Sequence, residues 1–282
     1  MTNQIHETAK INPNVKLGEF NRIGKNVVIE ILGNNPNATE TVGDNNVIND
    51  NTRIFIHGEL SIGDWNVFHN DMLLMAEDHL TIGHNCWFGQ NTILDGAGGL
   101  EIGNGVRVGM YSQIWTHVAS GEQIEGCTLY SKRKTIIEDD VWLVGSCIVS
   151  SGLVLGKRST ALINSVLTKD TDPDRAYAGS PAKLMEKAQF YFPKTIDEKF
   201  EMITGWVQDF AQINEGFGVE KTSNELTLSN DNEKVVFSKE NNDGRKGVFY
   251  LGDKTFNKSN SVSERLVYKF LYNNKARFIP IG

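Results

Sequence analysis

A histidine that precedes a basic loop is the feature of this sequence best suited to chemistry. His117 ends a regular stretch of the sequence. The residues that follow it, 118–134, have no periodicity and end with Lys132, Arg133 and Lys134. A neutral imidazole can take a proton from an attacking amine or hydroxyl near pH 7. Clustered cations can bind phosphate groups of a substrate. The pattern therefore predicts proton transfer beside an anion-binding loop.

Two carboxylates and a tryptophan accompany this histidine in the predicted coils. Residues twenty apart should stack there, so Glu77 shares a column with His117, and Asp95 lies one coil below Trp115. Either carboxylate could orient the imidazole or bind the amine of a sugar, although carboxylates are also common at ordinary corners. Trp115 could stack on a base of the substrate. We predict that His117, Glu77 and Asp95 are catalytic, and that Trp115 and the three loop cations bind substrate.

The elements that must position these residues repeat along the chain. Between residues 41 and 117 an aliphatic–Gly pair recurs every twenty residues, and a large apolar residue recurs every six. A period of six fits a short strand followed by a turn, with three such units to a triangular coil. Each coil then covers the apolar floor of the next. The repeat predicts a parallel β-helix with these inward residues: Val42, Ile48, Ile54, Ile62, Phe68, Leu74, Ile82, Phe88, Leu94, Ile102, Val108 and Ile114.

The repeat also predicts two domains. It begins near residue 10, is interrupted by turn formers at 33–40 and by the loop at 118–134, and resumes from 137 to 167. Roughly eight coils at the strand spacing give a rod about 40 Å long. We assign 1–186 to the β-helix and 187–282 to a small α/β domain. In the latter, apolar residues at helical spacing predict a helix over 195–213.

Composition limits the partners and the compartment. The 282 residues carry a net charge of −7, and the three cysteines lack a paired-ligand spacing. Nucleic acid is a poor partner for such a chain on bulk charge, and the cysteines favour a reducing compartment. No apolar run is long enough to span a bilayer. We expect a cytoplasmic protein without membrane insertion.

Several segments resemble the hexapeptide-repeat acyltransferases, which include galactoside and maltose acetyltransferases. The similar segments are QIWTHVASGEQIEG, TIIEDDVWLVGSCIVSSGLVLG, SVLTKD and AYAGSPAKLM, within residues 10–186. The resemblance implies a left-handed parallel β-helix, usually a homotrimer, with acyl-CoA as co-substrate in a groove between subunits and no metal. It implies a general base at His117. It also places six residues near coenzyme A: Trp142, Gly145, Ser165, Thr168, Lys169 and Lys183.

The additional C-terminal domain makes the resemblance more specific, to one group of these acyltransferases. A β-helix followed by helices and strands is similar to bacterial N-acyltransferases that act on nucleotide-linked amino sugars, such as dTDP-amino-dideoxyhexoses. The resemblance implies an acyl-CoA-dependent N-acyltransferase for bacterial surface polysaccharides, including the O-antigen of lipopolysaccharide. Its partners would be acyl-CoA and a nucleotide-linked amino sugar.

Three other functions remain open from the sequence. The first is O-acetylation of a saccharide hydroxyl, which depends more strongly on His117 because a hydroxyl is a weaker nucleophile than an amine. The second is a metal site of the γ-type carbonic anhydrase kind, which residues 56–58 (IHG) and 82–84 (IGH) faintly resemble without completing the histidine trio. The third is a non-catalytic trimeric scaffold that displays the C-terminal domain.

Overall fold

The computed structural model describes residues 2–33, 40–119 and 121–281. Most of the interruption predicted at 33–40 therefore lies outside the described residues. The chain divides into two compact units, residues 1–191 and 192–282.

The first unit consists of three parallel sheets that form the sides of a prism, with one short strand per coil in each sheet. Sheet I contains Gln4–Ile5, Arg22–Ile23, Val47–Ile48, Val67–Phe68, Trp87–Phe88, Arg107–Val108, Trp142–Leu143, Thr160–Ala161, Ala176–Gly179 and the antiparallel Ala182–Leu184. Sheet II contains Lys10–Ile11, Val28–Ile31, Arg53–Ile56, Leu73–Ala76, Ile93–Asp95, Gln113–Ile114, Ile148–Val149 and Val166–Leu167. Sheet III contains Lys16–Leu17, Glu40–Val42, Glu59–Ile62, His79–Ile82, Leu100–Ile102, Thr135–Ile137 and Val154–Leu155. The predicted fold class, a left-handed parallel β-helix with a small C-terminal α/β part, is confirmed.

The register shows where the coils differ in length. Val67 pairs with Trp87, twenty residues on, whereas Arg107 pairs with Trp142, thirty-five residues on, and Trp142 pairs with Thr160, eighteen residues on. Eighteen is three units of six, so the extra residues of the longer coils must be accommodated at a corner. They lie between sheet II and sheet III, at 57–58, 77–78, 96–99 and 118–134. We call this edge of the prism the insertion corner.

The other two corners are tight and nearly uniform. Each places one residue per coil in the left-handed backbone region, as at Asn51, Asp71 and Asn91, whose φ angles are 60°, 62° and 57°. Asn and Asp tolerate this conformation better than other non-glycine residues. The Asn and Asp residues of the repeat therefore have a backbone role, and the insertion corner is the one free to vary.

The apolar columns predicted from the repeat form the interior of the prism. Ile54, Leu74 and Leu94 are fully buried, and the stacked rings of Phe68 and Phe88 have centroids 5.1 Å apart. Each coil covers the one before it, as in other solenoids. The interior thus gives the corners a rigid support.

The second unit packs two helices with a six-stranded mixed sheet. Helix α1 spans Ile196–Ile213, within one residue of the predicted helix, and helix α2 spans Val262–Leu271. No helix among the described residues is long and apolar enough to cross a membrane. The strands, in sheet order, are Gly218–Lys221, Glu225–Ser229, Lys234–Ser238, Val248–Tyr250, Thr255–Asn257 and Ile279–Ile281.

The start of α1 offers a stability test. The Thr195 hydroxyl accepts from the Glu198 backbone N–H at 3.2 Å, and the Glu198 carboxylate accepts from the Thr195 N–H at 2.8 Å. We expect Thr195→Ala to lower the free energy of unfolding of this unit by about 1 kcal/mol, the usual loss for an N-cap. Urea unfolding followed by circular dichroism measures it. Gln208→Ala, on an exposed position of the same helix, is the control; equal stability of the two variants would contradict the assigned cap.

Candidate active site

The candidate site lies at the insertion corner, where the chain leaves the prism. His117 begins a strand, His117–Ala119, that pairs antiparallel with Tyr130–Lys132. The 118–134 segment is therefore a hairpin at its base, not only an irregular loop. The backbone N–H of Arg133 donates to the Thr116 carbonyl at 2.9 Å, which closes the hairpin beside the histidine.

His117 and Asp95 form a hydrogen-bonded pair. Nδ1 of His117 lies 2.7 Å from Oδ2 of Asp95, whose side chain is fully buried, whereas the imidazole is 34% exposed. The same Oδ2 accepts the backbone N–H groups of Thr116 at 2.8 Å and His117 at 3.2 Å, and Oδ1 accepts the Ala97 N–H at 3.1 Å. Donors thus surround the carboxylate, which favours the tautomer in which Nδ1 carries the hydrogen. The Nε2 atom is then the proton acceptor.

Thr116 and a run of glycines hold this pair in place. The Thr116 hydroxyl donates to the Asp95 carbonyl at 2.8 Å and accepts the Gly98 N–H at 2.8 Å. A β-carbon at Gly98 would lie 2.4 Å from the Thr116 carbonyl oxygen and 2.6 Å from the Arg133 nitrogen. Only glycine lets the chain approach so closely here. The segment 95–99, DGAGG, is thus part of the site's framework.

The imidazole faces an open groove of about 640 Å³. Sheet II, the insertion corner and the base of the hairpin contribute its walls. The ring of Trp115 stands edge-on to that of His117, with centroids 6.2 Å apart. The lining residues are Trp115, His117, Val118, Arg133, Ile148, Ser150, Ser151, Gly152, Leu153 and Thr168.

The structure separates the two predicted catalytic carboxylates. Asp95 contacts the imidazole, whereas Glu77 forms an ion pair with Lys132, with 3.7 Å between Oε2 and Nζ. Lys134 pairs with Glu101 at 3.0 Å. Of the three loop cations, Arg133 lines the groove.

The residues predicted to contact coenzyme A are dispersed over the prism. Thr168 lines the groove with His117, and Lys169 follows it as an exposed residue. Trp142, 45% exposed, lies on sheet I, as does Lys183. The other two, Gly145 and Ser165, lie at the corner between sheets I and II. Ser165 is fully buried, and its hydroxyl donates to the Leu162 carbonyl at 2.6 Å.

One of the two histidines suggested for a metal site, His84, has a backbone partner. Nδ1 of His84 accepts the Asp64 backbone N–H at 2.8 Å, as part of a ladder in which the Asp64 carboxylate accepts the Asp44 N–H at 2.9 Å. His84 therefore serves the corner backbone. Within residues 2–33, 40–119 and 121–281, no group of three or more His, Cys, Asp or Glu side chains is placed to hold a metal ion.

Several groove and framework residues escaped the sequence predictions, among them Thr116, Ser150, Ser151 and Gly152. Ser150, Ser151 and Gly152 occupy the insertion corner one coil after His117, so the register across the hairpin would have located them. Gly152 has a φ of +80°, a conformation that favours glycine. For Thr116, the sequence gives no indication of a role in the site other than its position directly before His117.

Gly98 gives a test of this framework. We expect Gly98→Ala to displace the Thr116 and Arg133 backbones and to cost about 1–3 kcal/mol of stability, because the new methyl overlaps main-chain atoms. Thermal unfolding measures this loss. Gly205→Ala, in α1 with open space around it, is the matched control and should not destabilise. An unchanged melting temperature for the Gly98 variant would contradict the described packing.

Comparisons with known proteins agree with the resemblance stated above. No protein-family model matches the chain. A 2,3,4,5-tetrahydropyridine-2,6-dicarboxylate N-acetyltransferase of Halalkalibacterium halodurans is 27% identical over 100 residues, covering 35% of this chain and 38% of that protein. The enzyme of the same name from Clostridium perfringens is 32% identical over 84 residues, covering 29% and 32%. The chain spans about a third of the length of these curated relatives.

Solved structures with similar coils are more distant in sequence. The polysialic acid O-acetyltransferase OatWY is 19% identical with a TM-score of 0.47, covering 69% of this chain and 92% of that chain. AntD, an N-acyltransferase from Bacillus cereus in complex with dTDP-4-amino-4,6-dideoxyglucose and coenzyme A, is 14% identical with a TM-score of 0.34, covering 72% and 91%. These similarities assign neither a substrate nor a site residue to this chain.

Proposed function

We propose that this chain is a hexapeptide-repeat acyltransferase and, within that superfamily, an acyl-CoA-dependent N-acyltransferase. Its acceptor is the amine of a nucleotide-linked amino sugar of the dTDP type. We place its activity in the cytoplasm, in the synthesis of bacterial surface polysaccharides. The groove beside His117 is the proposed site of the reaction.

The observation that carries this proposal is the pairing of His117 with buried Asp95 at the wall of an open groove. The Nδ1–H bond to Asp95 fixes the ring and leaves Nε2 to accept a proton. In the proposed reaction the acceptor amine attacks the thioester carbonyl, and Nε2 takes the proton that the new amide nitrogen loses. The C–S bond then breaks, and the thiolate of coenzyme A leaves and is protonated. No metal is needed for these steps.

The groove supplies the remaining requirement, which is orientation. A thioester is already reactive, so holding it next to the amine provides much of the acceleration. Ser150, Ser151 and Gly152 place backbone and hydroxyl groups of the corner along the groove. A backbone N–H of this corner is a suitable donor to the oxyanion of the tetrahedral intermediate.

The matched relatives support the class of reaction. They are named as N-acetyltransferases, and the matched parts cover 84 to 100 residues of this chain. The nucleotide-linked amino sugar is our choice of acceptor because a helical and stranded unit follows the β-helix, as the resemblance implies. A tetrahydropyridine dicarboxylate, as in the relatives' name, is the alternative acceptor that the assay must include.

The assay is release of free thiol from acetyl-CoA and longer acyl-CoA esters, with dTDP-, UDP- and GDP-linked amino sugars as acceptors. We expect release that depends on one of these sugars, with the N-acyl sugar identified by mass spectrometry. Thiol release with the tetrahydropyridine dicarboxylate alone would show that it, and not an amino sugar, is the acceptor. No acceptor-dependent release with any ester would contradict the proposed function.

We also propose a homotrimer, in which a groove bounded by two subunits unites His117 of one chain with Trp142 and Lys183 of the next. The position of Trp142 and Lys183 on sheet I, and of the histidine at the insertion corner, supports this arrangement. Mixing the variants His117→Asn and Trp142→Ala, both expected to be impaired, in unfolded form and refolding them together should restore part of the activity. Activity no higher than the sum of the separate variants would contradict a shared site, and light scattering reports the subunit number.

Saccharide O-acetylation is a second candidate. The His117–Asp95 pair favours it specifically, because a hydroxyl must lose its proton as it attacks and needs a positioned base. Thiol release with non-amino saccharides would identify it. In that case the loss of activity on replacing His117 should be nearly complete.

A further inference from the structure

The three cations of the hairpin differ in their surroundings. Lys132 pairs with Glu77 at the insertion corner at 3.7 Å, and Lys134 pairs with Glu101 on sheet III at 3.0 Å. Both lysines thus have a carboxylate partner on the prism. Arg133, between them, belongs to the groove wall instead.

The Arg133 side chain is held along its whole length. Its backbone N–H donates to the Thr116 carbonyl at 2.9 Å, and its Nε donates to the Ser131 hydroxyl at 2.5 Å. Its stem crosses Gly152, where a β-carbon would lie 3.0 Å from the Arg133 Cβ and 3.1 Å from its Cδ. Gly152 therefore acts as a flat platform for the arginine. The Arg133 side chain is exposed and lines the groove, so the two terminal nitrogens of its guanidinium are available as donors to a bound anion.

The charge of the groove is opposite to that of the chain. The whole sequence carries −7, yet the residues that line the groove include no carboxylate and one permanent cation, Arg133. Asp95 lies behind the imidazole and is fully buried. An anion in this groove can accept hydrogen bonds from the planar guanidinium of Arg133, and no carboxylate of the lining residues repels it. This arrangement suits phosphate and carboxylate groups.

We propose that Arg133 is the specificity residue of the groove and binds an anionic group of the acceptor, a phosphate or a carboxylate. This inference rests on the proposed function. His117 and Arg133 line the same groove, and the Arg133 backbone N–H donates to the carbonyl of Thr116, the residue before the base. We therefore place the bound anion in the same groove as the reacting atoms. In coenzyme A the phosphates are separated from the thioester by the whole pantetheine arm. The anion beside the reacting centre therefore belongs to the acceptor.

The same cation acts on the acceptor's amine. A neighbouring positive charge disfavours an ammonium ion and favours the neutral amine, which is the form that attacks. Free amino sugars, which are cations at neutral pH, should thus be poor acceptors. Amino sugars that carry phosphate should be good ones.

The test is Arg133→Gln compared with the wild type and with Arg53→Gln, an exposed arginine on sheet II three coils before the hairpin. We expect the KM for the anionic acceptor to rise about 10- to 100-fold, the usual effect of losing a charge-assisted hydrogen bond. The KM for acyl-CoA should stay within about twofold, and Arg133→Lys should restore part of the loss. A rise in the KM for acyl-CoA alone, or no rise in either, would overturn the proposal.

A binding experiment separates this proposal from the proposed function. Calorimetry with inorganic pyrophosphate and with malonate, without acyl-CoA, should show binding of at least one anion that Arg133→Gln weakens at least tenfold. This result can be obtained even if the protein transfers no acyl group. Failure of the wild type to bind either anion, or binding that the substitution leaves unchanged, counts against Arg133 as an anion site.

Discussion

Replacing His117 by Asn should lower kcat/KM for acyl transfer about 10²- to 10⁴-fold, the usual contribution of a positioned general base. The amide of Asn is similar in size to part of the ring and can still bond to Asp95, but it cannot take a proton. An amine acceptor retains some activity without the base, since the leaving thiolate can accept the proton later.

Thiol release from acyl-CoA in the presence of the acceptor checks this prediction, with circular dichroism to show that the β-helix is intact. His57→Asn, at the insertion corner three coils earlier, is the matched control and should keep wild-type kinetics. A kcat/KM within threefold of wild type for the His117 variant would remove the general base from the proposed reaction.

Asp95→Asn should be nearly as damaging to catalysis as the loss of the histidine. The carboxylate at 2.7 Å keeps the hydrogen on Nδ1 of His117. An amide that turns its NH₂ group toward the ring favours the opposite tautomer, with the hydrogen on Nε2, so the base is blocked. Stability should also fall by about 1–3 kcal/mol, because backbone donors at Thr116, His117 and Ala97 lose a charged acceptor.

The double variant decides whether the two residues act as one unit. Groups that act together are strongly non-additive in kcat, so His117→Asn with Asp95→Asn should be no slower than the slower single variant. Glu77→Gln, which affects a carboxylate paired with Lys132, should leave kcat within about threefold. Additive losses in the double variant, or a large loss from Glu77→Gln alone, would contradict the assigned roles.

Much of the fold can be predicted from the sequence, because the six-residue period of large apolar residues indicates which side chains point into the prism. Val42, Phe68 and Leu94 are buried where the period predicts. The left-handed sense came from the resemblance, and the site's position next to the hairpin came from the break in the period. Both depend on patterns that extend over whole coils.

The details of the site depend on contacts that no period encodes. Glu77 and Asp95 are equal candidates in the sequence, and only the folded corner shows that Asp95 lies 2.7 Å from the ring of His117 while Glu77 pairs with Lys132. In the sequence, Lys132, Arg133 and Lys134 form one basic cluster. In the hairpin, successive side chains face opposite sides, so the members of the cluster have different partners. Ser165 was assigned by motif alone, and its burial follows from an inward position at a tight corner.

A crystal structure with coenzyme A and a dTDP-linked amino sugar tests the central claim most directly. The account predicts that the cofactor sulfur and the sugar amine meet in the groove, with the amine nitrogen about 2.6–3.2 Å from Nε2 of His117 or joined to it by one water. A sulfur bound on a face of the prism away from His117, with the amine beyond the reach of the imidazole, would contradict it.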